Sequence, residues 1–186
     1  MRRETVRLPD GRELRIRPIA PADAEPIAAA FELLTEDEIR RRFLHPIKAL
    51  SPDYLQKLTH PDRRKDFVVV AAEPLPAGKA LVAAVARLAC DRNAPKRAEF
   101  AILVSHFVSG QGLGRLLMQR LLDWASKRGV EEIYGDVLYE NSHMLNLARE
   151  MGFERVATSD ASGLVRVRRF VGGASAPTSL AALSRG

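Results

Sequence analysis

Arg97-Ala98-Glu99-Phe100-Ala101-Ile102-Leu103-Val104, followed by Gly110-Gln111-Gly112-Leu113-Gly114-Arg115-Leu116-Leu117, is the stretch whose reading decides the fold. Its first part is an apolar run with one carboxylate near the head, the pattern of a largely buried strand. Its second part opens an amphipathic helix, because Leu113, Leu116, Leu117, Leu121 and Trp124 recur at helical spacing and Gly129 stands ready to end it. A strand, a glycine-rich turn and a helix in that order bring unpaired backbone N–H groups and the positive end of a helix dipole to one point, where an anion is welcome. Glycines at 110, 112 and 114 would let a pyrophosphate approach those amides. A lone Gly-x-Gly is equally a plain tight turn, so the surroundings must weigh in.

Upstream, Arg12 to Ile19 alternates Leu14, Ile16 and Pro18 with charged residues and predicts a half-buried strand. Three short helices follow. Asp23 is suited to cap the first, Thr35-Glu36-Asp37-Glu38 has the form of a capping box for the second, and Ser51-Pro52 starts the third. From Phe67 the texture becomes that of strands: Phe67 to Ala72, Leu81 to Leu88, and Arg97 to Val104, joined by turns rich in Pro, Gly and Asn. Downstream of Gly129, Val130 to Tyr139 reads as a strand, Ser142 to Met151 as a helix, and Phe153 to Thr158 with Leu164 to Val171 as a closing hairpin. The expected architecture is a single α/β domain with a mixed central sheet of about seven strands flanked by about four helices. Residues 1–171 are expected to form the domain and 172–186, rich in Gly, Ala, Ser and Pro, a flexible tail.

Composition narrows the class of function. The 186 residues are 46% hydrophobic and 28% charged, which suits one globular domain and excludes collagenous, coiled-coil and disordered chains. The lone Cys90 allows no internal disulfide and no multi-Cys metal site; as a small residue at the end of an apolar strand it reads as a buried hydrophobe. His45 and His60 each precede a proline, and nothing at ligand spacing joins them, so no metal is expected. Charged residues throughout the first twenty positions interrupt any signal-peptide core, no apolar run approaches the roughly 20 residues of a membrane span, and a cytoplasmic protein is expected. The net charge of +6 comes with few aromatics and no basic block longer than three, which favours a polyanionic small ligand over nucleic acid. Arg40, Arg41 and Arg42 read as a solvated helix face or as an attractor for an acidic protein surface.

With Glu99 to Val104, the Gly112-x-Gly114 turn and Asn141 to Phe153 in view, the chain resembles the GNAT superfamily of N-acetyltransferases over about residues 12 to 171. The resemblance implies that the backbone of Gln111, Gly112, Leu113, Gly114 and Arg115 binds the pyrophosphate of acetyl-CoA. It further implies that Ile102, Leu103 and Val104 pair with the pantetheine amides, and that Asn141 and the helix after it flank the pantetheine arm. Arg41-Arg42-Phe43, Leu50-Ser51-Pro52 and Leu58-Thr59-His60-Pro61-Asp62 are similar to the acetyltransferase domain of bacterial Pat-type protein lysine acetyltransferases, in which a Glu at the position of Glu99 is the general base. That likeness implies a protein lysine as acceptor, with a small-molecule amine next; the larger domains usually fused to Pat-type enzymes have no room in 186 residues.

Two positions depart from the superfamily pattern. Ser109 stands where the signature has Arg or Gln, and Ala148 where many members have a Tyr that protonates the leaving thiolate. These departures leave a non-catalytic acyl-CoA-binding module as an alternative. Glu99 itself has two readings, the base of the reaction or a solvated strand-end carboxylate paired with Lys96 or Arg97, and the resemblance favours the first. His106 and His143 sit near the expected cleft and read as loop and helix-surface residues; Tyr139 either lines the acceptor site or packs. A dinucleotide-binding domain fits poorly, since Gly112 to Leu117 lacks a third glycine. Exposed strand edges are compatible with a monomer or a homodimer.

Overall fold

The computed structural model describes residues 3–156 and 163–172; the expected tail lies outside them apart from Gly172. In chain order the elements are β1 (Glu4–Arg7), β2 (Glu13–Pro18), α1 (Ala24–Glu32), α2 (Glu36–Phe43), α3 (Pro52–Thr59), β3 (Asp66–Ala72), β4 (Val82–Cys90) and β5 (Arg97–Val104). Then come α4 (Leu113–Arg128), β6 (Glu132–Leu138), α5 (Ser142–Glu150), β7 (Glu154–Val156) and β8 (Leu164–Phe170). The strands form one sheet in the order β1-β2-β3-β4-β5-β6-β8-β7, parallel only between β5 and β6. The fold is the expected single α/β domain, with eight strands and five helices among the described residues. The unforeseen strand is β1: Glu4-Thr5-Val6-Arg7 has too little apolar patterning to announce itself, and its pairing with β2 is what makes it a strand.

Helices cover the sheet on both faces. On one, Leu117, Met118 and Leu121 of α4 and Leu145 of α5 pack on Val69, Ala86, Leu88, Ala98 and Ile102. On the other, Ile27 of α1 and Leu58 of α3 pack on Val68, Val70 and Val82. The buried face of α4 runs through Met118, Leu122 and Ala125 more than the sequence suggested. Trp124 lies at its margin, stacked on Phe67 with ring centroids 5.5 Å apart.

The capping signals act as read in two of three places. Glu38 N–H donates to Thr35 Oγ1 at 3.2 Å while Thr35 N–H donates to Glu38 Oε2 at 2.8 Å, and Tyr54 N–H donates to Ser51 Oγ at 3.1 Å. Asp23 is the exception. Its side chain does not cap α1; it is fully buried and takes two hydrogen bonds from Arg17 of β2, both 2.7 Å, plus one from Ala20 N–H at 2.8 Å. Two charges withdrawn from water cost more than one helix cap gains, so the satisfied carboxylate belongs to the pair.

The feature that creates a site is a split in the sheet. β5 and β6 are paired only at Arg97–Glu132, Ala98–Ile133 and Glu99–Tyr134. Beyond that point β5 stays with β4 as far as Val104, and β6 stays with β8 as far as Leu138, so the two half-sheets diverge. The ring of Phe100, edge-on to Phe153 at 5.3 Å, fills the space beside Gly135: a Cβ there would lie 2.6 Å from the ring.

Two stability predictions follow from these contacts. Asp23→Ala should cost about 3–5 kcal/mol in urea unfolding, since it strands the buried Arg17 guanidinium. Gly135→Ala should cost about 1–3 kcal/mol by the same measurement, with Phe100→Leu in the same chain restoring part of the loss.

Candidate active site

The diverging strands frame a cleft of about 510 Å³. Ile102, Leu103 and Val104 form one bank and Val137 and Asn141 the other, and the turn before α4 closes one end with Gly112, Leu113, Gly114 and Arg115. All of these except Val137 are residues in which the sequence located a cofactor site. In the split, the edge of β5 facing β6 has no partner strand, so its amides and carbonyls are available to an extended ligand. Gly112 caps α4 with φ of 81°, a conformation that a side chain resists. The first intrahelical bond is from Leu116 N–H to Gly112 carbonyl at 3.1 Å, so the N–H groups of Leu113, Gly114 and Arg115 find no acceptor among the described residues. Such a donor set, at the positive end of a 16-residue helix, fits a pyrophosphate.

Three of the expected residues also carry structural contacts that their sequence context did not announce. Gly114 lets α4 and α5 approach: a Cβ there would meet Leu147 Cδ2 at 3.3 Å. Gln111 does not line the cleft; its amide is locked to Asp10, donating through Nε2 at 2.5 Å and accepting Asp10 N–H at 3.2 Å. Asn141 is buried and caps α5, taking Met144 N–H on Oδ1 at 3.1 Å, and it also lines the cleft.

Glu99 occupies the last paired position before the split. It is exposed, and neither salt bridge considered for it exists: Lys96 pairs with Glu131 at 2.6 Å, and Arg97 with Glu132 at 3.3 Å. It lines neither the cleft nor the fold's other large cavity. Its neighbours on the same face form a polar group. Tyr134 donates to Asp91 Oδ1 at 2.8 Å, and Arg166 forks onto Asp136 at 2.8 and 2.7 Å while its guanidinium sits 5.0 Å from the Tyr134 ring. Burial, then the bond to Asp91, pushes the Tyr134 hydroxyl up to about 12; the Glu99 charge adds to the push, which places the carboxylate close by.

Helix α2 bridges the two banks. Glu38 takes the His106 N–H at 2.6 Å and the His106 ring Nδ1 at 2.9 Å on the β5 side, and Arg40 pairs with Glu140 on the β6 side. Burial pushes the Glu38 carboxyl up, but hydrogen bonds from Thr35 and His106 outweigh it and hold the group below its ordinary range.

The sequence profile of the Acetyltransferase (GNAT) family matches residues 28–153. The chain belongs to the GNAT acetyltransferase family. It is 29% identical to Acetyltransferase PA5475 of Pseudomonas aeruginosa over 150 residues, 78% of this chain and 77% of that protein. It superposes on the GNAT domain of S. lividans PAT with a TM-score of 0.80, covering 91% of this chain and 97% of that one at 24% identity. It also matches a cAMP-binding acyltransferase from Mycobacterium smegmatis, at 27% identity and a TM-score of 0.61; 92% of this chain covers 48% of that one, about half its length. Acetyl-CoA is the co-substrate of the GNAT fold.

Several features of this GNAT chain were invisible to sequence reasoning. The exposed arginines of α2 are also paired: Arg40 with Glu140 and Arg41 with Asp37 at 2.7 Å, while Arg42 donates to Tyr54 Oη at 3.0 Å. The turn between β1 and β2 braces the glycine-rich loop, through Asp10 on Gln111 and through Arg12 donating to the Phe107 carbonyl at 2.5 Å. Tyr139 does not pack into the core, being 72% exposed, and lines neither of the two large cavities. Burial, then Asp66 and Asp91, raises the Cys90 thiol, which disfavours a nucleophilic thiolate. Among the described residues no group of three His, Cys, Asp or Glu could hold a metal, and no helix is long and apolar enough to cross a membrane.

The α2 clasp has a pH signature. Glu38 is held below its unfolded value of about 4.3, so its stabilisation is complete above that pH and is lost as pH falls through the folded value. Glu38→Gln should lower stability at pH 7 by about 1–3 kcal/mol, and the gap to the native protein should close in unfolding curves recorded below about pH 4.

Proposed function

We propose that this GNAT acetyltransferase transfers the acetyl group of acetyl-CoA to an amine, a protein lysine, with Glu99 as general base. The observation that carries the reading is the position of Glu99: an exposed carboxylate without hydrogen-bond or ion-pair partners among the described residues, at the last rung before the strands part. In this reading the N–H groups of Leu113, Gly114 and Arg115 hold the pyrophosphate, the open edge of Ile102, Leu103 and Val104 pairs with the pantetheine amides, and Asn141 flanks that arm. Acetyl-CoA supplies the electrophile, a thioester carbonyl.

The base answers an energetic need. A lysine ammonium has a pKa of about 10.4, so at about pH 7.4 making it neutral costs roughly 4 kcal/mol. Glu99, directly or through a water, accepts that proton and passes it to solvent as the amine adds to the carbonyl. The C–N bond forms, the C–S bond breaks, and the sulfur, once it has departed as a thiolate, takes up the second proton of the amine. No acid from residue 148 assists, because Ala148 is fully buried on the packed side of α5. A thiol with a pKa of about 8.5 leaves as a thiolate without one. A lysine on a protein surface also suits the exposed, charged face around Glu99, Tyr134, Asp136 and Arg166, and the domain's likeness to the Pat GNAT domain supports that acceptor.

Glu99→Gln should cut turnover on lysine-bearing protein acceptors by at least ~100-fold, while calorimetry shows acetyl-CoA binding nearly unchanged. Unchanged turnover would remove Glu99 from the role; lost binding would show that the substitution had disturbed the split.

A further inference from the structure

A second cavity, of about 630 Å³, opens between the first three helices and the adjoining ends of β2, β4 and β5. Ile27, Phe31, Phe43, Leu58, Val82 and Val85 are among its walls. Four charged residues also line it, Arg12, Glu13, Arg42 and Glu73, two of each sign. Three of them are committed to the fold: Arg12 to Asp10 and the Phe107 carbonyl, Arg42 to Tyr54, and Glu73 to the Leu81 N–H at 3.1 Å. The cavity therefore offers hydrocarbon with no net charge. Five large apolar side chains are exposed among the described residues, and four of them, Leu33, Leu75, Leu81 and Phe107, belong to this cavity. Apolar surface gathered at one mouth marks a place that a partner covers in use.

The register of the sheet ties this cavity to the base. Side chains alternate along β5, so Glu99, Ala101 and Leu103 share one face. Opposite Glu99 and Leu103 on β4 stand Ala89 and Val85, and Val85 packs into the cluster that Ile27 and Leu58 form with Val68 and Val70. The face that carries Glu99 is thus the face that α1 and α3 cover, and Leu103 and Val85 line the cavity at its near end. Leu103 also lines the cofactor cleft, as do Arg42 and Val108, so cavity and cleft meet there. On β5 the small side chain of Ala101 alone separates Glu99 from Leu103, a span of four residues or roughly 13 Å. An extended polypeptide advances at the same rate and sends alternate side chains to one side, so a lysine brought to Glu99 carries the side chains two and four residues away toward the cavity. We infer that the cavity receives an apolar side chain of the acceptor polypeptide, and that the enzyme selects lysines with a Leu, Met or Phe two or four residues away on one side. The inference rests on the proposed lysine acceptor and on Glu99 as base. Acetyl-CoA remains the donor and the transfer itself is unchanged; the cavity adds a reading of the sequence around the lysine.

The test is steady-state acetylation of single-lysine peptides by the full chain with acetyl-CoA. A parent peptide flanks the lysine with Ala, Ser and Gly alone, and its relatives each carry one Leu, at positions one to four on either side. Burying a leucine side chain is worth about tenfold or more in affinity, so Leu at the matching position should raise kcat/KM at least ~10-fold over the parent, through KM, with kcat within about twofold. Two variants outside the cofactor site probe the cavity: Ala30→Trp fills it from α1, and Leu81→Glu charges its exposed rim. Ala30→Trp should erase the Leu advantage while kcat/KM for the parent peptide stays within about twofold, which also shows that the variant is folded; Leu81→Glu should reduce the advantage in the same direction. Equal kcat/KM across the series, or an advantage that survives Ala30→Trp, would overturn the side-chain pocket and leave the lysine reading standing. So would a donor preference for hexanoyl-CoA over acetyl-CoA that Ala30→Trp abolishes, which would give the cavity to the donor. Turnover of 2-phenylethylamine and of no peptide would overturn the lysine acceptor and this inference with it.

Discussion

The short parallel contact between β5 and β6 is the constraint on which the rest of the molecule depends. Three paired positions hold the two half-sheets together, and everything beyond Glu99 and Tyr134 is held apart. An unpaired strand edge inside a domain is costly, because each buried backbone group left without a partner costs about 1–3 kcal/mol. Here the edge opens onto a cleft, where an extended amide-bearing ligand can complete it. Phe100 helps to set the divergence from below: its ring lies where a side chain on residue 135 would be, and Phe153 holds it there. One aromatic ring and one missing Cβ thus help to convert a continuous sheet into a binding site.

The charges are divided by the same split. Arg41, Arg42, His106, Arg115 and His143 surround the ground that a polyanion would cover, whereas Glu99 and Asp136 lie outside the cleft lining. Few of these cations are free to grip. Arg41 is tied to Asp37 and Arg115 to Glu150, and exposed ion pairs of this kind contribute about 0–1 kcal/mol. Their value lies in placement. The pairs of Glu38 with His106 and Arg40 with Glu140 lay one helix across both banks, fixing the width of the cleft at the place where the two cavities meet.

What the sequence made legible, and what it hid, follows from the range of the interactions. Thr35 and Glu38, Ser51 and Pro52, and Gly129 mark helix ends because a cap is satisfied within three residues, and β5 with the turn before α4 is a local pattern of apolar residues and glycines. Asp23 misled because the same local signal was outweighed by a partner on another strand, Arg17, whose burial no spacing reveals. β1 was hidden because its strandedness comes from β2. The second role of Glu38 depends on His106, 68 residues away, and the lock on Gln111 depends on Asp10, 101 residues away. The packing role of Gly114 was hidden because only the tertiary fold brings Leu147 against it.

The departure at Ser109 acquires a physical meaning from those distant contacts. Ser109, at a position where the signature has Arg or Gln, lines the cleft with a hydroxyl that donates back to the His106 carbonyl at 3.1 Å. A grip made of backbone N–H groups needs orientation more than charge, since dipoles fall off steeply with misalignment. The turn between β1 and β2 supplies that orientation from outside the segment that defines the family: Asp10 fixes Gln111, and Arg12 fixes both Asp10 and the Phe107 carbonyl. Hydrogen bonds from Arg12, then from Gln111, hold the Asp10 carboxyl far below its ordinary range, so the brace stays ionised at every pH at which acyl transfer to an amine is practical. Where residue 109 supplies no cation, the loop that presents the free N–H groups at the start of α4 is braced by the N-terminal hairpin.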